Sequence, residues 1–335
     1  METNLIGFPG LGLGPVRVPE IAFVIPIGDG IPIRFYTILV MLGMLAALAY
    51  VFYRSRYEGF QYGDVIDYFL AVIPLGVIGA RLFYVVANLG KGTFQTLYDV
   101  IAIWNGGLVI YGGVIGGVVA VLIVSKFKKL KKDRVFKAFD MIVPAMALGQ
   151  CIGRWGNFFN AEAYGLATSE HFFLRMGFYK EGSNQVYFCH PTFLYESVWN
   201  LCCFLLLHFL YKKKKFNGQI LMMYLAFYGF GRMFIEGLRE NSLYFGPFRV
   251  SQLIGFLCFV ICTALLVYLL AKEHRKALDS EEYVSIYDSA RRSTVSKTTS
   301  RDTDDAEADI DAIIARTAQE QKQREGENED NGNVD

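Results

Sequence analysis

Seven stretches of this chain, at roughly 34–53, 65–88, 106–125, 139–160, 192–211, 218–237 and 249–271, approach the ~20 apolar residues that cross a bilayer. In hydrocarbon every backbone N–H and C=O must be bonded internally, so such stretches are predicted to be α-helices. Composition agrees. Of the 335 residues 53% are hydrophobic, and the mean hydropathy is +0.30 despite a polar tail, a value that soluble proteins of this size rarely reach. The expected fold class is therefore all-α, a polytopic membrane protein with seven transmembrane helices. Met1–Arg17 lacks the basic start and short apolar core of a signal peptide, so none is expected.

Charge sets the orientation. Basic residues cluster in alternate loops: Arg54 and Arg56, the run 125–134 (SKFKKLKKDR), 211–215 (YKKKK) and 272–276 (KEHRK). Loops 89–105, 161–191 and 238–248 are poorer in Lys and Arg for their length. The positive-inside rule then puts the N-terminus outside and the C-terminus in the cytoplasm. The division expected is an extracytoplasmic segment 1–33, a transmembrane domain 34–271, and an acidic cytoplasmic tail 272–335. Residues 273–335 hold 17 acidic and 9 basic side chains, so the overall +1 splits into −8 on the tail and about +9 elsewhere. With few apolar residues beyond Ala277, the tail is expected to be largely disordered, with a short helix near Ala306–Gln323. Cys151, Cys202, Cys203, Cys258 and Cys262 fall inside the proposed spans and Cys189 just outside one. That is neither a disulfide framework nor a metal-ligand spacing, so no metal or other cofactor is expected.

No soluble catalytic domain is left over, and any chemistry must use the spans and their outer loops. Arg81, Arg154, Arg232 and Glu236 sit within or at the ends of spans, where an arginine at the bilayer centre costs ~2.5–3.5 kcal/mol. Structural pairing, such as Arg232 with Glu236, accounts for one such residue more easily than for the set. The orientation gathers them at one leaflet. Span four carries Arg154, Asn157, Asn160 and Glu162 toward the outside, and span six carries Tyr228, Arg232, Glu236 and Arg239. Arg81 lies in the outer half of span two, Tyr36 and Tyr111 near the outer ends of spans one and three, and His190 and Glu196 beside the outer start of span five. At 100° per residue, Tyr228, Arg232, Glu236 and Arg239 make one polar stripe, while Gly153, Gly156 and Gly165 permit close approach or a local break. Gly112, Gly113, Gly116 and Gly117 give span three a small-residue packing face. Guanidinium groups recognise phosphate oxygens in fixed geometry, so an outer-leaflet anionic lipid head group is the expected ligand.

The run Gly153–Gly165, GRWGNFFNAEAYG, is similar to the signature of the bacterial prolipoprotein diacylglyceryl transferases, G-R-x-G-N-F-x-N-x-E-x-x-G, at every fixed position. Tyr36, GARLFYV (79–85), WNGGLVIYGG (104–113), HPTFLYE (190–196) and YGFGRMFIEGLRE (228–240) resemble the same family in the same order, over about residues 30–271. The resemblance implies a multi-pass enzyme of the bacterial plasma (inner) membrane without cofactor. Such an enzyme moves the diacylglyceryl group of phosphatidylglycerol onto the lipobox cysteine in the signal peptide of a preprolipoprotein. It also implies roles. Arg154 and Arg232 would hold the phosphate, Asn157 and Glu162 would organise the head group, Gly165 would shape the pocket, and Tyr36 and Tyr228 match functional tyrosines. Asn160, Arg81, Glu236, Arg239 and His190 complete the expected substrate contacts. Some members have a histidine, proposed as the base, where this chain has Tyr111. A phenol of pKa ~10 is a poor base toward a thiol of pKa ~8.5, and Glu162 and His190 stand as alternatives.

Three other classes fit less well. A transporter or channel for an anionic solute would continue polar residues toward the cytoplasmic face and often shows internal repeats. An intramembrane protease would want a nucleophile in a span, and Asp140 is a lone carboxylate at the inner start of span four. A scaffold would leave the arginines as incidental pairs. Nothing in the sequence points to nucleic acid.

Overall fold

The computed structural model describes residues 3–28, 30–90, 94, 96–180, 186–240 and 244–297. Among the described residues eight α-helices carry the fold: α1 (Phe35–Glu58), α2 (Tyr62–Ala87), the short α3 (Leu97–Ile101), α4 (Ile110–Phe127), α5 (Lys132–Phe159), α6 (Thr192–Leu210), α7 (Gln219–Gly237) and α8 (Val250–Lys297). Six are long and apolar enough to cross a membrane: α1, α2, α4, α5, α6 with its following turn, and α8 over Val250–Leu278. The 19-residue α7 is outside that set, since Arg232, Glu236 and Gln219 offset its apolar residues. Apolar side chains such as Leu70, Val86, Ile110 and Phe127 are exposed along these helices, which suits hydrocarbon and not water.

Glycine decides how closely the helices cross. A Cβ on Gly112 would lie 2.2 Å from the Gly79 carbonyl oxygen, and one on Gly116 2.1 Å from that of Leu75, so α2 and α4 touch backbone to backbone. The expected packing face of Gly112 and Gly116 is thus engaged, while Gly113 and Gly117 sit in looser contact. Gly229 of α7 and Gly255 of α8 repeat the arrangement. Two apolar cores fill the bundle, one around Val65, Tyr68, Ala138 and Met141, the other around Ala147, Leu207 and Ile220.

Asp140, read from the sequence as a lone carboxylate, is fully buried and accepts the backbone N–H groups of Gly218 (2.8 Å) and Leu221 (2.9 Å). It caps α7 from α5, satisfying donors that a helix start leaves free. Lys214 lies 3.6 Å from it and 3.0 Å from Glu58.

The chain is mostly helical, as expected, and among the described residues eight short strands that the sequence did not announce accompany the helices. β1 (Thr3–Phe8) and β2 (Leu13–Pro19) form a hairpin, as do β3 (Ile21–Ile25) and β4 (Ile31–Arg34). β5 (Met176–Tyr179) and β6 (Val186–Cys189) come from the loop after α5, and β1 pairs with β5 to make one sheet of order β2-β1-β5-β6. β7 (Tyr244–Phe245) and β8 (Phe248–Arg249) form a minimal hairpin before α8. These strands have two to seven residues, too short to stand out against the apolar helices in hydropathy. The sheet packs Ile6, Val18, Met176 and Cys189 on Phe193 at the start of α6.

Two compact units divide the chain, residues 1–266 and 267–335. α8 runs on to Lys297, past Ala277, and the rest of the tail expected to be largely disordered lies outside the described residues. The short helix expected near Ala306–Gln323 lies outside the described residues.

Candidate functional site

α5 ends within the signature run. Its last turn closes with Asn160 N–H on the Gly156 carbonyl (3.1 Å), and Glu162 N–H then turns back to the Asn157 carbonyl (3.0 Å). The reversal needs Ala161 (φ 49°) and Ala163 (φ 55°) in the left-handed region, a cost of roughly 1–2 kcal/mol per non-glycine residue that surrounding contacts must hold in place. What it achieves is local: the Glu162 carboxylate accepts from Asn157 Nδ2 (2.9 Å) and Asn160 Nδ2 (3.4 Å), and Asn157 Oδ1 accepts from Arg154 (3.1 Å). Four of the expected residues are one connected array.

The run then meets the end of α7. Gly165 bridges Arg239, and Leu166 N–H donates to the Leu238 carbonyl (2.7 Å). A Cβ on Gly165 would come within 2.7 Å of the Leu238 oxygen and of His190 Cβ. Gly156 is similarly filled from outside: its hydrogen faces the Tyr36 ring, 2.8 Å from where a Cβ would be. Both glycines serve close approach.

Joining these segments is Glu196, at the start of α6 and 4% exposed. Arg154 reaches its Oε2 at 2.6 Å, Arg232 its Oε1 at 2.8 Å, and Arg239 lies 3.8 Å from Oε1. Arg232 also pairs with the buried Glu236 (2.7 Å), to which Arg239 comes within 3.9 Å. Arg249 donates to the Glu236 backbone carbonyl. Three guanidinium groups thus share two carboxylates, leaving +1 in a poorly solvated place. Burial makes an unmatched charge expensive, and an anion offsets it. The sequence reading placed Glu196 only as a neighbour of the outer end of span five. Its signal was the carboxylate closing HPTFLYE.

Tyr228 lies one turn before Arg232 and stacks on Tyr224 at 5.5 Å, whose hydroxyl donates to Gln150 (3.1 Å). The Tyr111 hydroxyl is hydrogen-bonded to Ser251 of α8, a partner the sequence did not suggest. Two expected residues are placed elsewhere. Arg81 donates to four backbone carbonyls, those of Asp99, Val100 (2.9 Å), Gly106 (2.6 Å) and Gly107 (3.1 Å), and stacks on Tyr84. Its guanidinium pins the loop after α2 and is not part of the Glu196 cluster. His190 pairs through Nδ1 with the Tyr195 hydroxyl (3.3 Å), packs against Phe172, and is held below the usual histidine range by burial. Beside it, burial pushes the Cys189 thiol up to about 12, which makes it unreactive.

Among the described residues no group of His, Cys, Asp and Glu is arranged to hold a metal ion. The arrangement suits binding a monoanion such as a phosphodiester, with donors from Arg154, Arg232 and Arg239.

Residues 22–268 match the family model described as prolipoprotein diacylglyceryl transferase. The chain is 41% identical over 252 residues to the phosphatidylglycerol–prolipoprotein diacylglyceryl transferase of Clostridium kluyveri, covering 73% of this chain and 96% of the relative. To the protein of the same description from Clostridium botulinum it is 39% identical over 249 residues, covering 72% and 95%.

Proposed function

The chain belongs to the prolipoprotein diacylglyceryl transferase family, and from that premise we propose how its residues share the reaction. It transfers the diacylglyceryl group of phosphatidylglycerol to the thiol of the lipobox cysteine in a preprolipoprotein signal peptide, the first step of lipoprotein maturation. One observation carries the assignment of the site: three guanidinium groups on two buried carboxylates, with a charge of +1 left to meet a phosphodiester monoanion.

Arg154 and Arg232 hold the phosphate, with Arg239 behind them. Asn157, Asn160 and Glu162 arrange the glycerol head group, Gly156 and Gly165 let Tyr36 and the end of α7 pack close beside it, and Tyr36 and Tyr228 line its place. Glu236 and Glu196 keep the guanidinium groups aimed. The cysteine sulfur attacks the glyceryl carbon next to the phosphate. A C–S bond forms, the C–O bond breaks, and its electron pair leaves with glycerol phosphate. The phosphate passes from a diester with one charge to a monoester whose second pKa is ~6, so negative charge grows as the bond breaks. Arginines that meet one charge in the bound lipid meet more in the transition state, and that difference is what accelerates a reaction. The thiol proton goes to Glu162, an exposed carboxylate joined to Arg154 through Asn157. Tyr111 donates a hydrogen bond from beside Ser251, a role that a phenol suits better than that of base. His190 and Arg81 hold loops in place.

The proposed topology has seven spans, with α7 as the one its site charges make least apolar. The basic ends of α1, α4, α6 and α8 favour a cytoplasmic C-terminus, an outer-leaflet site and the bacterial plasma membrane as location. Segment 1–33, the transmembrane catalytic domain 34–271 and the cytoplasmic tail 272–335 follow from it.

The test is transfer of labelled glyceryl lipid from phosphatidylglycerol vesicles to a lipobox peptide by reconstituted protein. Wild type yields the thioether, phosphatidylethanolamine vesicles yield none, and Arg154→Ala or Arg232→Ala lowers the rate by at least about 100-fold, as loss of a charge stabiliser does. Full transfer by folded Arg154→Ala overturns the assignment.

A further inference from the structure

Asn200 follows Glu196 by one turn of α6, as Arg232 follows Tyr228 on α7. These four polar side chains, with Trp199 and Ile235, line a cavity of about 10 Å³ directly beside the guanidinium cluster. Asn200 is 2% exposed, and its Oδ1 has no hydrogen-bond partner among the described residues. A buried amide oxygen without a donor is costly. About 10–15 Å³ is the space of one water molecule, which persists in a protein when two to four polar groups surround it.

We infer that this cavity is a binding site for a single buried water and that Asn200, through it, is a positioning residue for Arg232. The water donates one proton to Asn200 Oδ1 and the other to the Glu196 carboxylate or the Tyr228 oxygen. Its lone pairs take an N–H from Arg232, whose other donors already reach Glu196 (2.8 Å) and Glu236 (2.7 Å). Two carboxylates alone pull the guanidinium toward α6 and along α7. The water adds a contact from a third direction and limits how far Arg232 swings when phosphate competes for its donors. Asn200 touches no substrate in this arrangement. The inference rests on the reading of Arg232 as a phosphate holder.

Two measurements test it. The first is an experimental structure of the full chain in lipid at a resolution that shows water. One peak within about 3.2 Å of Asn200 Oδ1 and of a second lining group is expected; an empty cavity overturns the inference whatever the protein catalyses. The second is the transfer assay on Asn200→Leu, which keeps the size and removes the acceptor, and Asn200→Ser, which restores an acceptor and leaves room for water. Asn200→Leu should lower kcat/KM for phosphatidylglycerol about tenfold, the loss of one hydrogen bond, mainly through KM. Asn200→Ser should recover most of it at an unchanged unfolding midpoint. Equal losses in both variants, or wild-type kinetics in Asn200→Leu, overturn the positioning role. If Arg232→Ala keeps full activity, the reading of the site has failed instead, and the water peak still decides whether the cavity binds water.

Discussion

Replacing Glu196 by Gln removes the one side chain that joins all three arginines and changes almost no volume. In the native site Oε2 meets Arg154 at 2.6 Å and Oε1 meets Arg232 at 2.8 Å, so both oxygens accept. Glutamine has one acceptor and one donor. Whichever way the amide turns, an N–H faces an N–H on one of the two arginines. A hydrogen bond to a charged group contributes ~1.5–3 kcal/mol, and each 1.4 kcal/mol is a factor of ten. Loss of one such bond at the arginines proposed to hold the phosphate therefore predicts a fall of about 10- to 100-fold in kcat/KM. Stability should fall as well. Removing one partner of a buried ion pair costs ~3–5 kcal/mol, but Arg154 and Arg232 are 24% and 14% exposed, and solvent screening reduces the expected loss to about 2 kcal/mol. The measurements are transfer of labelled glyceryl lipid in vesicles and the thermal unfolding midpoint in detergent. Glu196→Asp keeps the charge but withdraws it by one C–C bond, and should lie between wild type and Glu196→Gln in both. A Glu196→Gln protein with wild-type rate and midpoint would refute the view that this carboxylate organises the site.

Gly165→Ala forces a methyl to within 2.7 Å of Leu238 oxygen and His190 Cβ, so overpacking of ~1–3 kcal/mol and a lower midpoint are expected, with transfer reduced because the strand-like join to Arg239 shifts. Arg81→Ala removes donors from four carbonyls of the loop after α2 and should raise proteolysis between residues 97 and 107 more than it lowers transfer; an equal loss of rate to Arg154→Ala would return Arg81 to the anion site. His190 has its pKa lowered below 6.5 by burial, so the unfolded chain takes up its proton first as pH falls. Its contribution to stability is complete above about pH 6.5 and is lost below it, toward the folded-state value; unfolding midpoints from pH 7.5 to 5 check this, and His190→Gln should flatten the curve.

Much of this molecule is written locally in its sequence. Long apolar stretches must be helices where water is absent, so hydropathy found them, but it stopped short of the end of α1, the start of α5 and the end of α8, and passed over the short α3 and the strands. The run 153–165 and the stripe Tyr228–Arg239 were visible because charge in an apolar segment is costly and helical spacing aligns it. Partners far apart in the chain were not visible. Which carboxylate gathers Arg154, Arg232 and Arg239 depends on how α6 meets α5 and α7, and only the folded bundle brings Glu196 there. The same holds for Tyr111 with Ser251, for β1 with β5, and for Asp140 with the start of α7. Arg81 shows the converse, an arginine that the sequence reading grouped with the others and whose donors the tertiary structure gives to backbone carbonyls. Sequence determined which groups are too polar for the membrane; packing decided which of them meet, because a hydrogen bond is settled by distances of a few tenths of an ångström that no local pattern encodes.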